Sequence, residues 1–264
     1  MLSRILPKSP VNLPRKQQNT AYLTNNASGS SGGAAYQYYV EYNGDWKNGK
    51  RDGHGVEVYR DGSRYEGIFK DDKKEGVGTI ILPNGDIFQG TFHNNEVNGD
   101  GVIKKVNNTI IKSFFRNYID RIDGQVEILY PNKCVYKGEY KNNARNGNGT
   151  LTFLNGDEYV GNWKNDYRDG KGVMQYANGE KYDGEWKNDK YDGKGIYKWS
   201  NNSYYKGDFR DGLFDGIGTR VYSNGDIFNG RFYKGHRRGR GTLRRASNEV
   251  LQGIWNNDEY SGEF

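Results

Sequence analysis

The chain of 264 residues is long enough for one or two ordinary domains, but 33% hydrophobic residues, 38 glycines and 22 tyrosines do not describe an aliphatic core. Aromatic rings, each able to bury about 150–250 Å², must supply most of the apolar burial. The net charge of +6 points away from a general nucleic-acid binder once it is located: residues 1–40 hold Arg4, Lys8, Arg15 and Lys16 with no acid, and the remainder carries 35 basic against 33 acidic groups.

Residues 1–38 contain Pro7, Pro10 and Pro14 and a Ser-Gly run at 28–33, and read as a basic arm, flexible or ordered by a partner. A faint likeness to a transit peptide makes the mitochondrion a minor alternative location, although the prolines interrupt any amphipathic helix after Leu6. The N-terminus lacks the apolar core of a signal peptide, so the sequons at Asn26, Asn107, Asn148 and Asn201 read as products of Asn-rich turns. Cys134 is the single cysteine, which excludes an internal disulfide, and no run of about 18 apolar residues is present.

Residues 39–264 form an array. Units open at Tyr42, Tyr65, Phe88, Tyr136, Tyr159, Tyr182, Tyr205 and Phe228, every step but one being 23 residues. The exception, from Phe88 to Tyr136, holds a degenerate unit starting at Ile111, with Phe115 in the tryptophan place, Gly124 read thirteen residues on, and two extra residues near Pro131. A tenth, partial unit opens at Leu251 with Gly253 and Trp255.

With the first aromatic as position 0, glycine recurs at +2, an aromatic at +4, glycine at +11 and +13, and apolar residues at +15 and +17. These offsets alternate with period 2, so each unit is two strands. Tyr136, Gly138 and Tyr140 share one face, and Lys137, Glu139 and Lys141 the other. A three-residue loop Leu154-Asn155-Gly156, with Gly156 left-handed, pairs Leu151 with Tyr159 and Gly149 with Gly161 and keeps every ring on one face. A two-residue loop would set Tyr159 against Thr152. Glycine between two aromatics costs backbone entropy, so its regular use predicts a slot in which a ring lies.

The recurrence of Tyr182-Asp-Gly184-Glu-Trp186 followed by Gly193-Lys-Gly195 resembles the MORN (membrane occupation and recognition nexus) repeat over about four fifths of the chain. The resemblance implies an all-β fold: an elongated, single-layer antiparallel sheet of about nine 23-residue hairpins with an aromatic-lined groove. It also implies cytoskeletal or ciliary (axonemal) assemblies, notably radial-spoke-head proteins.

Chemistry of the catalytic kind finds no unique site, and the chain reads as a non-enzyme without cofactor or metal. His54, His93 and His236 fall in different units, Gly44 to Lys50 spells a phosphate loop without the Ser/Thr or the helix, and the acids recur in register on the charged face. The expected partner-binding groove is lined by Tyr42, Trp46, Tyr65, Phe69, Phe88, Phe92, Tyr136, Tyr140, Tyr159, Trp163, Tyr182, Trp186, Tyr205, Phe209, Phe228 and Phe232. A single layer is expected to leave this stripe uncovered, so another protein, a helix or extended segment of a large assembly, should cover it. The acid-free run Arg231, Lys234, Arg237, Arg238, Arg240, Arg244 and Arg245 could instead grip anionic lipid, making a peripheral membrane module the alternative. A strand carrying Trp255 is expected to leave an open C-terminal edge, met by a homodimer mate or a different subunit.

Overall fold

The computed structural model describes residues 39–117, 119 and 121–262; the arm expected at 1–38 lies outside them. Residues 39–144 and 145–262 belong to two compact units. The first contains β1 (Tyr39–Lys47), β2 (Lys50–Tyr59), β3 (Arg64–Lys70), β4 (Lys73–Ile81), β5 (Ile87–His93), β6 (Glu96–Lys104), β7 (Ile110–Arg116), β8 (Gly124–Leu129) and β9 (Val135–Lys141). The second runs through β10 (Ala144–Thr152), β11 (Glu158–Lys164), β12 (Tyr167–Gln175), β13 (Lys181–Lys187), β14 (Lys190–Lys198) and β15 (Tyr204–Arg210). It continues with β16 (Leu213–Val221), β17 (Ile227–Tyr233), β18 (His236–Arg244), β19 (Val250–Asn256) and β20 (Glu259–Gly262). Within each unit every strand pairs antiparallel with the next, one hairpin per repeat.

Two turns alternate. Between repeats the expected three-residue loop is present: Leu151 faces Tyr159, Gly149 faces Gly161, and Gly156 has φ +89°. Its N–H donates to the Phe153 carbonyl at 3.0 Å, and the Phe153 N–H donates to the Asp157 carbonyl at 2.8 Å. Inside the regular repeats a two-residue turn carries two left-handed residues, as at Asn165 with φ +48° and Asp166 with +69°, the geometry whose twist suits a tight hairpin.

Parity alone does not show that the two strands of a repeat are offset by a bulge. Gly161 faces Gly172 and Trp163 faces Arg168, so Asn162 alone opposes Asp169, Gly170 and Lys171. Both Tyr159 and Asn162 close this irregularity: the Tyr159 hydroxyl donates to the Asn162 carbonyl at 2.8 Å, and Asn162 Oδ1 accepts the Lys171 N–H at 3.0 Å. Gly170 takes φ +106° there. The same device recurs at Tyr182 with Glu185 and at Tyr205 with Asp208, which explains tyrosine at 0, a polar acceptor at +3 and glycine at +11.

The degenerate unit corrects the expected alignment. Ile128, not Val126, faces Ile111 and Tyr136, and Gly124 faces Tyr140 with φ +101°. Gly124 therefore stands at the +11 place, and the two extra residues fall between the end of β7 at Arg116 and the start of β8 at Gly124. The turn at Pro131 is regular, with the Tyr130 N–H donating to the Cys134 carbonyl at 2.9 Å and the Lys133 N–H to that of Tyr130 at 2.9 Å. Ser113 and Val126 occupy the two glycine places of this unit. No glycine slot is needed where Ile111 replaces the ring.

The edge expected to be open at Trp255 is paired there by β20, over Ile254–Asn256 only. β19 pairs with β18 along its length, and Trp255 faces Tyr260 of β20 on its other side.

Candidate partner-binding site

The rings expected to line an open groove are core. Tyr65, Phe69, Phe88, Phe92, Tyr136, Tyr159, Trp163, Tyr182, Trp186, Tyr205, Phe209, Phe228 and Phe232 are all buried. Tyr42 and Tyr140 are half-buried, and Trp46 alone is widely exposed, at 58%.

The cover comes from within, in three ways. First, position-0 rings meet the +4 rings of their own repeat and of the next nearly edge to face: Tyr159 lies 5.1 Å from Trp163 and 5.1 Å from Trp186, a geometry that the ring quadrupoles favour, while Tyr136 meets Tyr140 at a tilt of 53°. Second, the floor is two glycines. A Cβ built on Gly195 would lie 2.6 Å from the Tyr182 hydroxyl, and one on Gly184 2.6 Å from it, so the predicted slot is real. Third, the +9 side chain lies over the top. Tyr191 stacks on Tyr182 and Phe214 on Tyr205, each with centroids 3.8 Å apart.

Where +9 is arginine, the lid is a clamp between repeats. The Arg168 guanidinium sits 4.4 Å above the Trp186 centroid, its Nε donates to Asp189 Oδ1 at 3.0 Å, and its backbone N–H donates to the same oxygen at 3.0 Å. Arg51 with Asp72, Arg145 with Asp166 and Arg237 with Asp258 repeat the arrangement at the same spacing of 21 residues. The signal was present in the sequence: arginine at +9 is followed by aspartate at +7 of the next unit, whereas Tyr191 and Phe214 are followed by Gly212 and Gly235. Indole donors add a further link, Trp163, Trp186 and Trp255 giving their Nε1–H to the carbonyls of Gly149, Gly172 and Gly241 at 3.1, 3.0 and 3.1 Å.

At the first repeat Glu57 is buried among Arg51 (2.6 Å), Lys74 (3.3 Å) and the Tyr59 hydroxyl. Burial is the largest single influence and raises its pKa, but Lys74, Tyr59 and Arg51 together hold the carboxyl below the ordinary glutamate value. Desolvation lowers the Lys74 ammonium, and Glu57 offsets this only in part. The ladder hydroxyls of Tyr65, Tyr159, Tyr182 and Tyr205 are pushed up, chiefly by burial, so they act as neutral donors.

Residues 145–262 carry a second tier above the ladder. Tyr176, Trp199 and Tyr222 are half-buried, and Tyr197 and Arg220 are buried. The Tyr176 and Tyr191 hydroxyls hydrogen-bond, Tyr197 donates to Glu180 at 2.9 Å, and its ring centroid lies 4.8 Å from that of Trp199.

The basic run is divided between the two faces of the sheet. Arg237 is paired with Asp258 (3.2 Å) and lies over Trp255, Arg245 pairs with Glu249 (3.3 Å), and Arg238 and Lys234 lie over Tyr233. Arg231, Arg240 and Arg244 are exposed on the face away from the rings, which also carries Tyr233, and there Arg231 faces Ile217 and Arg240 faces Ile254. Gly44 to Lys50 is a hairpin tip, with Asn48 and Gly49 both left-handed. Among the described residues no cluster of three His, Cys, Asp or Glu is placed to hold a metal.

The family model described as the MORN repeat matches residues 42–64, 65–87, 136–158, 159–181, 182–204 and 205–227, together a little over half of the chain. No curated protein matches. Among solved structures the chain is similar to the wild-type TCP10 domain of Danio rerio CPAP, at 13% identity over 76% of this chain and 88% of that one, with a TM-score of 0.42. It is likewise similar to the G-box domain of the microcephaly protein CPAP, at 12% identity over 77% and 100%, with a TM-score of 0.43. A third likeness is to the SAS-4 TCP domain of Drosophila melanogaster in complex with a proline-rich motif of Ana2, at 13% identity over 68% and 85%, with a TM-score of 0.34.

Proposed function

Because the chain belongs to the MORN repeat family, we propose that it is a non-enzymatic scaffold that holds another protein on the ring-bearing face of its sheet. The contact is made by the tier above the ladder, since the ladder itself is consumed in folding. The observation that carries this reading is the cluster of Tyr176, Tyr197, Trp199, Arg220 and Tyr222, large amphipathic side chains of the kinds enriched at interfaces. A cytoskeletal or ciliary setting goes with this reading and rests on the resemblance to radial-spoke-head proteins. Photo-crosslinking amino acids at Tyr176 and Tyr222, compared with Val160 and Lys206 on the other face, test it in the native cell. Capture of one protein from the first pair only is expected; capture from the second pair only would refute the reading.

A second reading, a membrane-surface module, is favoured by Arg231, Arg240 and Arg244 standing exposed beside Ile217 and Ile254. Low-salt sedimentation with anionic vesicles tests it, and protein left in the supernatant removes it.

A further inference from the structure

Arg220 breaks the repeat. It occupies the +15 place, facing Tyr205 on one neighbouring strand and Phe228 on the other, where the corresponding residues Leu151, Met174 and Leu243 are apolar and buried. Its residual exposure is 9%. The guanidinium carbon lies 3.4 Å from the Trp199 ring centroid and 5.1 Å from that of Tyr222, and Nη1 donates to the Val221 carbonyl at 3.3 Å.

Among the described residues no carboxylate reaches Arg220. The two acids that act on the adjoining Tyr222 are engaged elsewhere: Asp258 takes Arg237 and His236, and Asp226 Oδ1 accepts the Ala246 N–H. The contrast with Arg51, Arg145, Arg168 and Arg237 is complete, for each of those has its aspartate. Burial pulls the Arg220 pKa down to about 10, so the group stays charged at neutral pH. An unpaired buried charge is costly unless a counter-charge arrives. A guanidinium clasped between two rings still offers its donor edge, whose fork geometry suits a carboxylate.

We propose that Arg220, framed by Trp199 and Tyr222, is the receptor for a carboxylate side chain in an acidic segment of the bound protein. The inference rests on the scaffold reading and supplies the chemistry of its partner. One cation calls for one negative charge; phosphate recognition usually draws on several free arginines, and the neighbouring Arg237 is already neutralised by Asp258.

The test is an NMR titration of the full chain, labelled at arginine side chains, with end-blocked octaglutamate, octalysine and inorganic phosphate as separate probes. The Arg220 Nε–H resonance should shift saturably with octaglutamate only. Arg220→Met should weaken that peptide about ten- to a hundredfold without lowering the melting temperature, because an apolar isostere of a buried charge is often neutral or stabilising. The wild-type titration stands even if the variant fails to fold. No saturable shift with octaglutamate, equal binding by a folded Arg220→Met, or a response to phosphate at lower concentration overturns the proposal. If the partner crosslinks from Tyr176 and Tyr222 yet binds Arg220→Met unchanged, the carboxylate inference fails alone; crosslinks only from Val160 and Lys206 remove the scaffold reading beneath it.

Discussion

Replacing Gly195 with alanine separates two accounts of the glycines. Gly195 does not require a left-handed backbone, so on backbone grounds Gly195→Ala should stabilise by about 0.4–1 kcal/mol through the unfolded chain. The ring slot predicts the opposite sign. The new Cβ would sit 2.6 Å from Tyr182 Oη, 2.7 Å from Cε2 and 2.8 Å from Cζ, nearly 1 Å inside the optimal carbon separation of about 3.5–4.0 Å. Tyr182 cannot retreat: it is fully buried, its hydroxyl donates to the Glu185 carbonyl at 2.7 Å, and Tyr191 stacks on its face. Overpacking of this kind costs about 1–3 kcal/mol, so the net loss should be about 1–2 kcal/mol. Urea denaturation measures it, and amide exchange should localise the weakening to β13, β14 and their neighbours.

The degenerate unit supplies the control for that substitution. Tyr182→Ile with Gly184→Ser and Gly195→Val copies Ile111, Ser113 and Val126, and should recover about 1–3 kcal/mol relative to the summed single changes, as contacting sites do. A Gly195→Ala chain as stable as the wild type, or a triple variant showing no coupling, would refute the slot.

Glu57→Gln should cost about 3–5 kcal/mol at pH 7 by leaving Lys74 and Arg51 short of a buried counter-charge. Since the folded pKa of Glu57 lies below its unfolded value of 4.5, its contribution is complete above that value and is lost as pH falls through the folded pKa. Melting curves of wild type and variant should therefore converge in acid. Asp189→Ala, which strips the Arg168 guanidinium and backbone N–H of their acceptor, should cost about 3 kcal/mol by denaturation. Trp186→Phe keeps ring burial but deletes the bond to the Gly172 carbonyl, and should cost about 1 kcal/mol in the same assay.

Much of the fold was legible because strand parity is a strong constraint: only one loop length keeps Leu151 opposite Tyr159, and that register is the one found. Parity says nothing of height above the sheet. It places Tyr159 and Trp163 on one face but does not say that they meet edge to face or that Arg168 lies over Trp186, so a buried ladder and an open groove have the same sequence pattern. The bulge at Asn162 was equally hidden, because it changes which residues face each other without changing the 23-residue period. In the degenerate unit the residue type of Gly124 suggests the +13 place, whereas its pairing with Tyr140 sets it at +11, the added length falling between β7 and β8.

Hydroxyl-radical footprinting of the folded chain, read residue by residue by mass spectrometry, tests the central claim directly. Tyr65, Tyr159, Tyr182 and Tyr205 are fully buried, whereas Trp46 is 58% and Phe114 49% exposed and Trp199 and Tyr222 are half-buried. The account predicts fast oxidation of Trp46 and Phe114, intermediate rates at Trp199 and Tyr222, near-complete protection of the four ladder tyrosines, and loss of the Trp199 and Tyr222 signals once the crosslinked partner is added. Ladder tyrosines oxidised as fast as Trp199 in the free chain and protected by the partner would contradict it, and would restore the open aromatic groove.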